Sequence, residues 1–312
     1  MSFLFSIILL VVGFVLLIKG ADFLVDGASS LALRFKVSPI AVGLTIVSFG
    51  TSAPELVVNV MAAIQGNAGI SFGNIINILL ILGIAAMIRP LNAQRGTVWR
   101  EIPFSLMAVV ALFLMCNDSL FTSNGNLLAR NEGLLLLLFF IIFVVYTFGL
   151  PKIEVEELPD IKKFSFCKIT LLIILGLAGL FVGGKFAVDN AVLIARHFGL
   201  SDRIIGLTIV AIGTSLPELV TSAVAAFKNQ IDIAIGNVVG SNIFNIFLIL
   251  GITSVIKPLP FQWAQNLDLL VLVVASFALF FSVFTGPSHR ISRGEAAIFL
   301  FIYAAYTVYL FI

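Results

Sequence analysis

Apolar runs fill this chain from one end to the other, in lengths that a lipid bilayer dictates. Cutting the sequence at charges, Gly/Pro clusters and polar turns leaves ten of them: 3–33, 39–64, 70–88, 101–116, 132–150, 168–196, 203–227, 233–256, 267–285 and 295–312. Most come close to the ~20 residues that carry a helix across a hydrocarbon core. The first and sixth are longer and should tilt or project. In lipid only helices and closed barrels satisfy their own backbone, and a barrel would alternate apolar with polar residues. Charged residues make up 11% of the 312, against about a quarter in soluble domains. That excludes a cytosolic enzyme, a disordered chain and a nucleic-acid binder. The sequence reads as an all-α integral membrane protein with ten transmembrane helices. Phe3–Ile18 has no basic flank of the kind that opens a signal peptide, so it is expected to stay as the first helix.

The longest connection, 151–167, carries seven charged side chains between Lys152 and Lys163. It divides the chain into a first half, 1–150, and a second half, 168–312. If the N-terminus lies outside, 12 of the 18 Lys and Arg fall in inside loops and 4 in outside ones. The positive-inside bias then puts both termini outside and the 151–167 linker in the cytoplasm, as expected of a multi-pass protein of the plasma (inner) membrane. Cys116 and Cys167 fall on opposite sides, so no disulfide is expected. The acidic cluster Glu154–Asp160 lacks an EF-hand pattern and reads as solvated linker.

The two halves repeat each other. Gly43–Leu56, GLTIVSFGTSAPEL, returns as Gly206–Leu219, GLTIVAIGTSLPEL, at an offset of 163. The offset holds through Gly73-Asn74 and Gly236-Asn237, then becomes 168 at Ile81–Ile84 and Ile249–Ile252. The most economical alignment puts the missing five residues between Ile76 and Asn77. The third span is then expected to present Asn74 and Asn77 unlike the eighth's Asn237 and Asn245. Each half has five spans. An odd number makes the halves two inverted five-helix repeats, a secondary-transporter architecture with its site at the repeat interface.

Glu55 and Glu218 lie mid-way along the second and seventh runs, where a carboxylate is expensive and marks function by default. Each follows a Gly-Thr-Ser-x-Pro stretch. Proline lacks an N–H and clashes with the carbonyl four residues back, so Pro54 and Pro217 free the carbonyls of Gly50 and Gly213. Thr51, Ser52, Thr214 and Ser215 add hydroxyls. These are hard oxygen donors suited to Ca²⁺ and Na⁺, and no His or Cys stands nearby to favour zinc, copper or iron. Two glutamates neutralise one Ca²⁺, and protons can compete for them. Asn77, Ser241 and Asn245 add polar groups on the third and eighth spans; Asn74, Asn237 and Asn242 rank below them. Lys19, Asp22 and Asp26, and Lys185 with Asp189, read as ion pairs or snorkelling side chains.

The paired GTS-x-PE motifs and GNVVGSNIFNI at 236–246 resemble the alpha repeats of the sodium/calcium exchanger family, within the cation/calcium exchanger superfamily. The resemblance implies ten helices, alternating access by sliding of the long first and sixth, and antiport of Ca²⁺ against Na⁺. It maps onto Ser48, Thr51, Ser52, Glu55 and Asn77 in the first half, and Ala211, Thr214, Ser215, Glu218, Ser241 and Asn245 in the second. Ser48 and Ala211 would act through backbone carbonyls. Two features depart from the family pattern: Asn245 stands where some members have an acid, and the first repeat lacks the GSN-like piece. The large cytoplasmic calcium-sensing domains of animal exchangers are also missing. The transported ions, the lipid bilayer and competing H⁺ are the expected partners, with no cofactor, protein partner or nucleic acid. Ca²⁺/H⁺ exchange and a non-transporting ion-binding scaffold are the alternatives. An intramembrane hydrolase lacks a His or Lys base near Ser52 or Ser215.

Overall fold

The computed structural model describes residues 3–65, 73–93, 97–117, 126–149, 162–285 and 289–311. Helix lies on each of the ten apolar runs. We label these segments α1 (Phe3–Phe35), α2 (Pro39–Ile64), α3 (Gly73–Ile88), α4 (Trp99–Cys116), α5 (Arg130–Phe148), α6 (Phe166–His197), α7 (Thr208–Thr214 and Leu216–Phe227), α8 (Ile231–Ile256), α9 (Asn266–Thr285) and α10 (Arg293–Phe311). Among the described residues, seven helices are long and apolar enough to cross a membrane, or eight when the two pieces of α7, bent by 58°, count as one. α3 is shorter than that. α10 opens on Arg293 and Glu295 and carries three tyrosines, which lower its apolarity. The molecule is thus an all-α membrane-helical fold. The acidic part of the linker, Glu154–Asp160, lies outside the described residues.

Local chemistry sets the helix ends. Ser38 caps α2, its hydroxyl accepting from the Ala41 N–H, and Pro39 takes the first helical position where no N–H is needed. Glu132 and Glu295, 163 apart, each accept the backbone N–H three residues earlier at 2.7 Å. Arg130 and Arg293 donate to carbonyls at the ends of other helices, Ile256 on α8 and Met87 on α3, where a cation complements the negative helix end. Two-residue strands tie the loops together, Leu91–Asn92 with Arg290–Ile291 and Leu127–Leu128 with Leu259–Pro260.

α1 and α6 run antiparallel in close contact. A Cβ added at Gly13 would lie 2.7 Å from the Ala187 nitrogen, and one at Gly176 would lie 2.7 Å from that of Leu24. These are the same contact after the 163-residue shift. So are Gly20 against Leu180 and Gly183 against Leu17, each also at 2.7 Å. Glycine at the crossing lets backbones meet where lipid supplies no hydrophobic force between helices. The pair buries Leu17, Leu24 and Leu180 against α2, α7 and α8. A larger core joins α3, α4, α5, α8, α9 and α10 around Leu79, Leu112, Phe143 and Phe247.

Two expectations change here. Asp22 and Asp26 of α1 do not pair with Lys19. Their partner is Lys228 at the end of α7, whose ammonium bonds Asp26 Oδ1 at 2.6 Å and also reaches Asp22, while Lys162 approaches Asp26 at 3.9 Å. Lys185 and Asp189 do pair, at 2.9 Å. The five-residue shortfall also moves. Helix of the wider π type covers Ile76–Ile81 and Phe244–Leu250, which correspond at 168, and Asn74 donates to the Asn242 carbonyl at 3.1 Å. Gly73-Asn74-Ile-Ile-Asn77 therefore occupies the place of Ser241-Asn242-Ile-Phe-Asn245. In that register the five missing residues fall before Gly73.

Candidate functional site

The site forms where α2 and α7 bring their Gly-Thr-Ser-x-Pro-Glu stretches together, and the chemistry crosses between halves. Ser52 donates to Glu218 at 3.0 Å, and Ser215 donates to Glu55 at 3.4 Å. Each hydroxyl thus orients the other half's carboxylate, and the two carboxyl groups are close enough to interact directly. Glu218 is fully buried and Glu55 is 8% exposed. The second carboxylate oxygen of each, Oε2, is buried with no hydrogen-bond partner, as are the Ser241 hydroxyl, both polar atoms of Asn77, and Asn245 Oδ1. Orphaned buried oxygens around two carboxylates suit a cation: a hard ion takes six to eight oxygens, and leaving them unpaired is costly.

The two breaks differ. α2 stays helical through Pro54, whereas α7 breaks at Ser215 and restarts with Pro217 in its first turn. Both stretches lie under α6, with Leu177 over Gly50 and Val188 over Gly213. Thr51 and Thr214 turn back onto the carbonyls of Ser48 and Ala211, at 3.3 and 3.2 Å. Those two carbonyls therefore face the threonine hydroxyls. The Ser48 hydroxyl bonds the carbonyls of Gly43, Gly236 and Asn237 at 2.7–3.1 Å, stapling α2 to α8.

The eleven sequence candidates lie on α2, α3, α7 and α8, and among them Ser52 meets Glu218 and Ser215 meets Glu55 directly. The sequence places Asn74 and Asn237 below the other polar groups and gives Asn59 no role; all three hydrogen-bond at this site. Asn237 supports Glu218 by donating to its carbonyl at 3.3 Å, and it accepts from Thr51 at 3.1 Å. Asn59 does the same for Glu55, donating to its carbonyl at 2.8 Å. Asn74 accepts from Asn245 at 3.1 Å and so bridges α3 to α8.

A cavity of about 460 Å³ reaches the site from one side, lined by Glu55, Asn59, Gly73, Ala211, Thr214 and Asn245. The residues equivalent to these, Glu218, Ser222, Ser241, Ser48, Thr51 and Asn77, are all buried. On that sealed side Phe140, Phe143 and Phe244 pack together, with ring centroids 5.0 and 6.4 Å apart. One half-site is open and its mirror is shut.

The sequence model of the family described as "Sodium/calcium exchanger protein" matches residues 5–149 and again 168–312. The sodium/calcium exchanger MaX1 of Methanosarcina acetivorans is 32% identical, over 98% of both chains. The inner membrane protein YrbG of Escherichia coli is 36% identical, over 87% of both. The solved structure of the sodium-calcium exchanger NCX_Mj soaked with 10 mM Na⁺ and zero Ca²⁺ aligns with a TM-score of 0.84 at 33% identity, covering 97% of this chain and 98% of that one.

Proposed function

The chain belongs to the sodium/calcium exchanger family, a family of transporters rather than enzymes, and from that membership we propose that it exchanges Ca²⁺ for Na⁺ across the membrane by alternating access. The ions bind at the repeat interface between Glu55 and Glu218. Thr51, Ser52, Thr214, Ser215, Ser241, Asn77 and Asn245 and the carbonyls of Ser48 and Ala211 supply the remaining oxygens. The observation that carries this reading is the asymmetry of a symmetric site: Glu55 lines an open cavity while Glu218 and its neighbours are sealed. A transporter must offer its site to one face at a time, and two mirrored half-sites allow this by exchanging roles. Ca²⁺ neutralises the two carboxylates, and Na⁺ takes over the same oxygens when Ca²⁺ leaves.

We also propose ten transmembrane helices in two inverted five-helix repeats, 1–150 and 168–312. The exchanged contacts of α1 with α6 and of the paired strands support this, as do the two separate family matches.

The deciding measurement is Ca²⁺ uptake by vesicles loaded with Na⁺. Uptake should follow the outward Na⁺ gradient and stay when the pH gradient is collapsed. Uptake that follows the pH gradient instead would make the protein a Ca²⁺/H⁺ exchanger, and binding without flux would leave an ion-binding scaffold.

The proposed orientation in the inner membrane, with both termini outside and the 151–167 linker cytoplasmic, has its own reporter. Cys167 is exposed at the start of α6 and Cys116 is buried, with no disulfide between them. An impermeant maleimide should leave Cys167 unmodified in intact cells and label it once the membrane is opened. Labelling in intact cells would invert the topology.

A further inference from the structure

We propose that Asp268 is a third carboxylate on the ion route, an outer cation-collecting site ahead of Glu55 on one face of the membrane. This rests on the exchanger reading and adds a site to it.

The cavity that reaches Glu55 has a direction. Along α2 it is lined by Glu55, Val58, Asn59 and Ala62, one helical face running toward the Ile64 end. Along α10 it is lined by Tyr303, Tyr306, Thr307 and Leu310, one face running toward the Phe311 end. Asp268, in the first turn of α9, lines the same cavity. An ion travelling between bulk water and Glu55 through this opening passes a carboxylate on the way.

Asp268 is held for such a role. The Tyr306 hydroxyl donates to its Oδ1 at 2.7 Å, which fixes the carboxylate and leaves Oδ2 for a ligand. The positive end of α9 eases the burial of its charge, and no basic partner among the described residues cancels it. Deeper in the same cavity, Glu55 Oε2 and Asn245 Oδ1 are buried without partners. Hard oxygens therefore line this route at both levels. With no full charge to cancel it, Asp268 raises the local concentration of cations, as charged, low-dielectric clefts do.

The same tyrosine–carboxylate pairing occurs between α4 and α5. Glu101, at the start of α4, accepts from the Tyr146 hydroxyl of α5 at 2.7 Å. It is 1% exposed and its Oε2 has no partner.

Asp268→Asn keeps the shape and the bond to Tyr306 and removes the charge. Wild-type and variant protein are reconstituted in Na⁺-loaded vesicles, and initial Ca²⁺ uptake is measured against external Ca²⁺. Wild-type uptake is the check on the exchanger reading itself, and without it that reading fails. Given wild-type uptake, Asp268→Asn should raise the half-saturating Ca²⁺ by about three- to thirtyfold, with the maximal rate held within about twofold. Asp268→Glu should restore the wild-type value. Choline chloride should narrow the difference by screening, which a merely structural defect would not show. If Asp268→Asn does not yield monodisperse protein, Asp268→Ser carries the same test. An unchanged half-saturation, or a loss of rate with no change in half-saturation, overturns the proposal.

Discussion

Glu218→Gln, purified and reconstituted, will show Ca²⁺ uptake at background with its thermal stability at or above that of the wild type, and Glu55→Gln will do the same. Glutamine keeps the shape of glutamate, and its carbonyl can still accept from Ser52 or Ser215, which donate at 3.0 and 3.4 Å. What disappears is one of the two negative charges proposed to balance Ca²⁺. A charge-assisted contribution of about 3 kcal/mol from one carboxylate is worth roughly a hundredfold in affinity. Folding should gain, because two neighbouring buried carboxylates repel each other and an amide costs less to bury. Uptake by both folded variants at the wild-type rate would remove the glutamates from the ion path. Loss in one variant alone would mean that the half-sites do not share an ion.

That much of the site was legible in the sequence, because a carboxylate within an apolar run is too costly to persist without a task and the motif occurs twice. What sequence could not supply were relations between helices. Nothing in the spacing of Ser52 and Glu55 says that the serine serves Glu218, because the exchange requires two helices to cross. Lys228 lies far from Asp22 and Asp26 in sequence while Lys19 stands within two turns of both, so spacing alone points to the wrong cation. The register of α3 was misplaced because Gly73-Asn74 matches Gly236-Asn237 by identity, while packing aligns it with Ser241-Asn242. The cost of that shift shows in the chemistry. Gly73 brings no hydroxyl where Ser241 does, and Asn59 takes over the support that Asn237 gives in the other half. Asp268 and Tyr306 each look ordinary alone near the end of a helix, and only packing joins them.

The second large effect is expected far from the ions. Gly20→Val and Gly176→Val should each lower the thermal stability of the purified protein steeply and abolish transport. A Cβ at Gly20 would meet the Leu180 nitrogen at 2.7 Å and the Gly176 oxygen at 2.8 Å; one at Gly176 would meet the Leu24 nitrogen at 2.7 Å. These are backbone atoms, which no side-chain rotation can clear, so α1 and α6 must separate. Overpacking of this kind costs about 1–3 kcal/mol or more, and separation also forfeits the dispersion contacts that hold helices together in lipid. Transport fails with stability because the pair lies across both ion-site stretches, Leu177 over Gly50 and Val188 over Gly213. In the proposed alternating access, helices packed backbone to backbone over the site would move as one body. Gly73→Ala is the control for glycine loss as such. Its added carbon would find nothing closer than Asn245 Nδ2 at 3.9 Å and Glu55 Oε1 at 4.0 Å, so stability should hold. The measurement is the midpoint of heat-induced loss of the monodisperse peak on size exclusion, alongside Na⁺-driven Ca²⁺ uptake. A Gly20→Val protein with the wild-type midpoint would show that α1 and α6 have slack at their crossing, and the rigid pair would have to be abandoned.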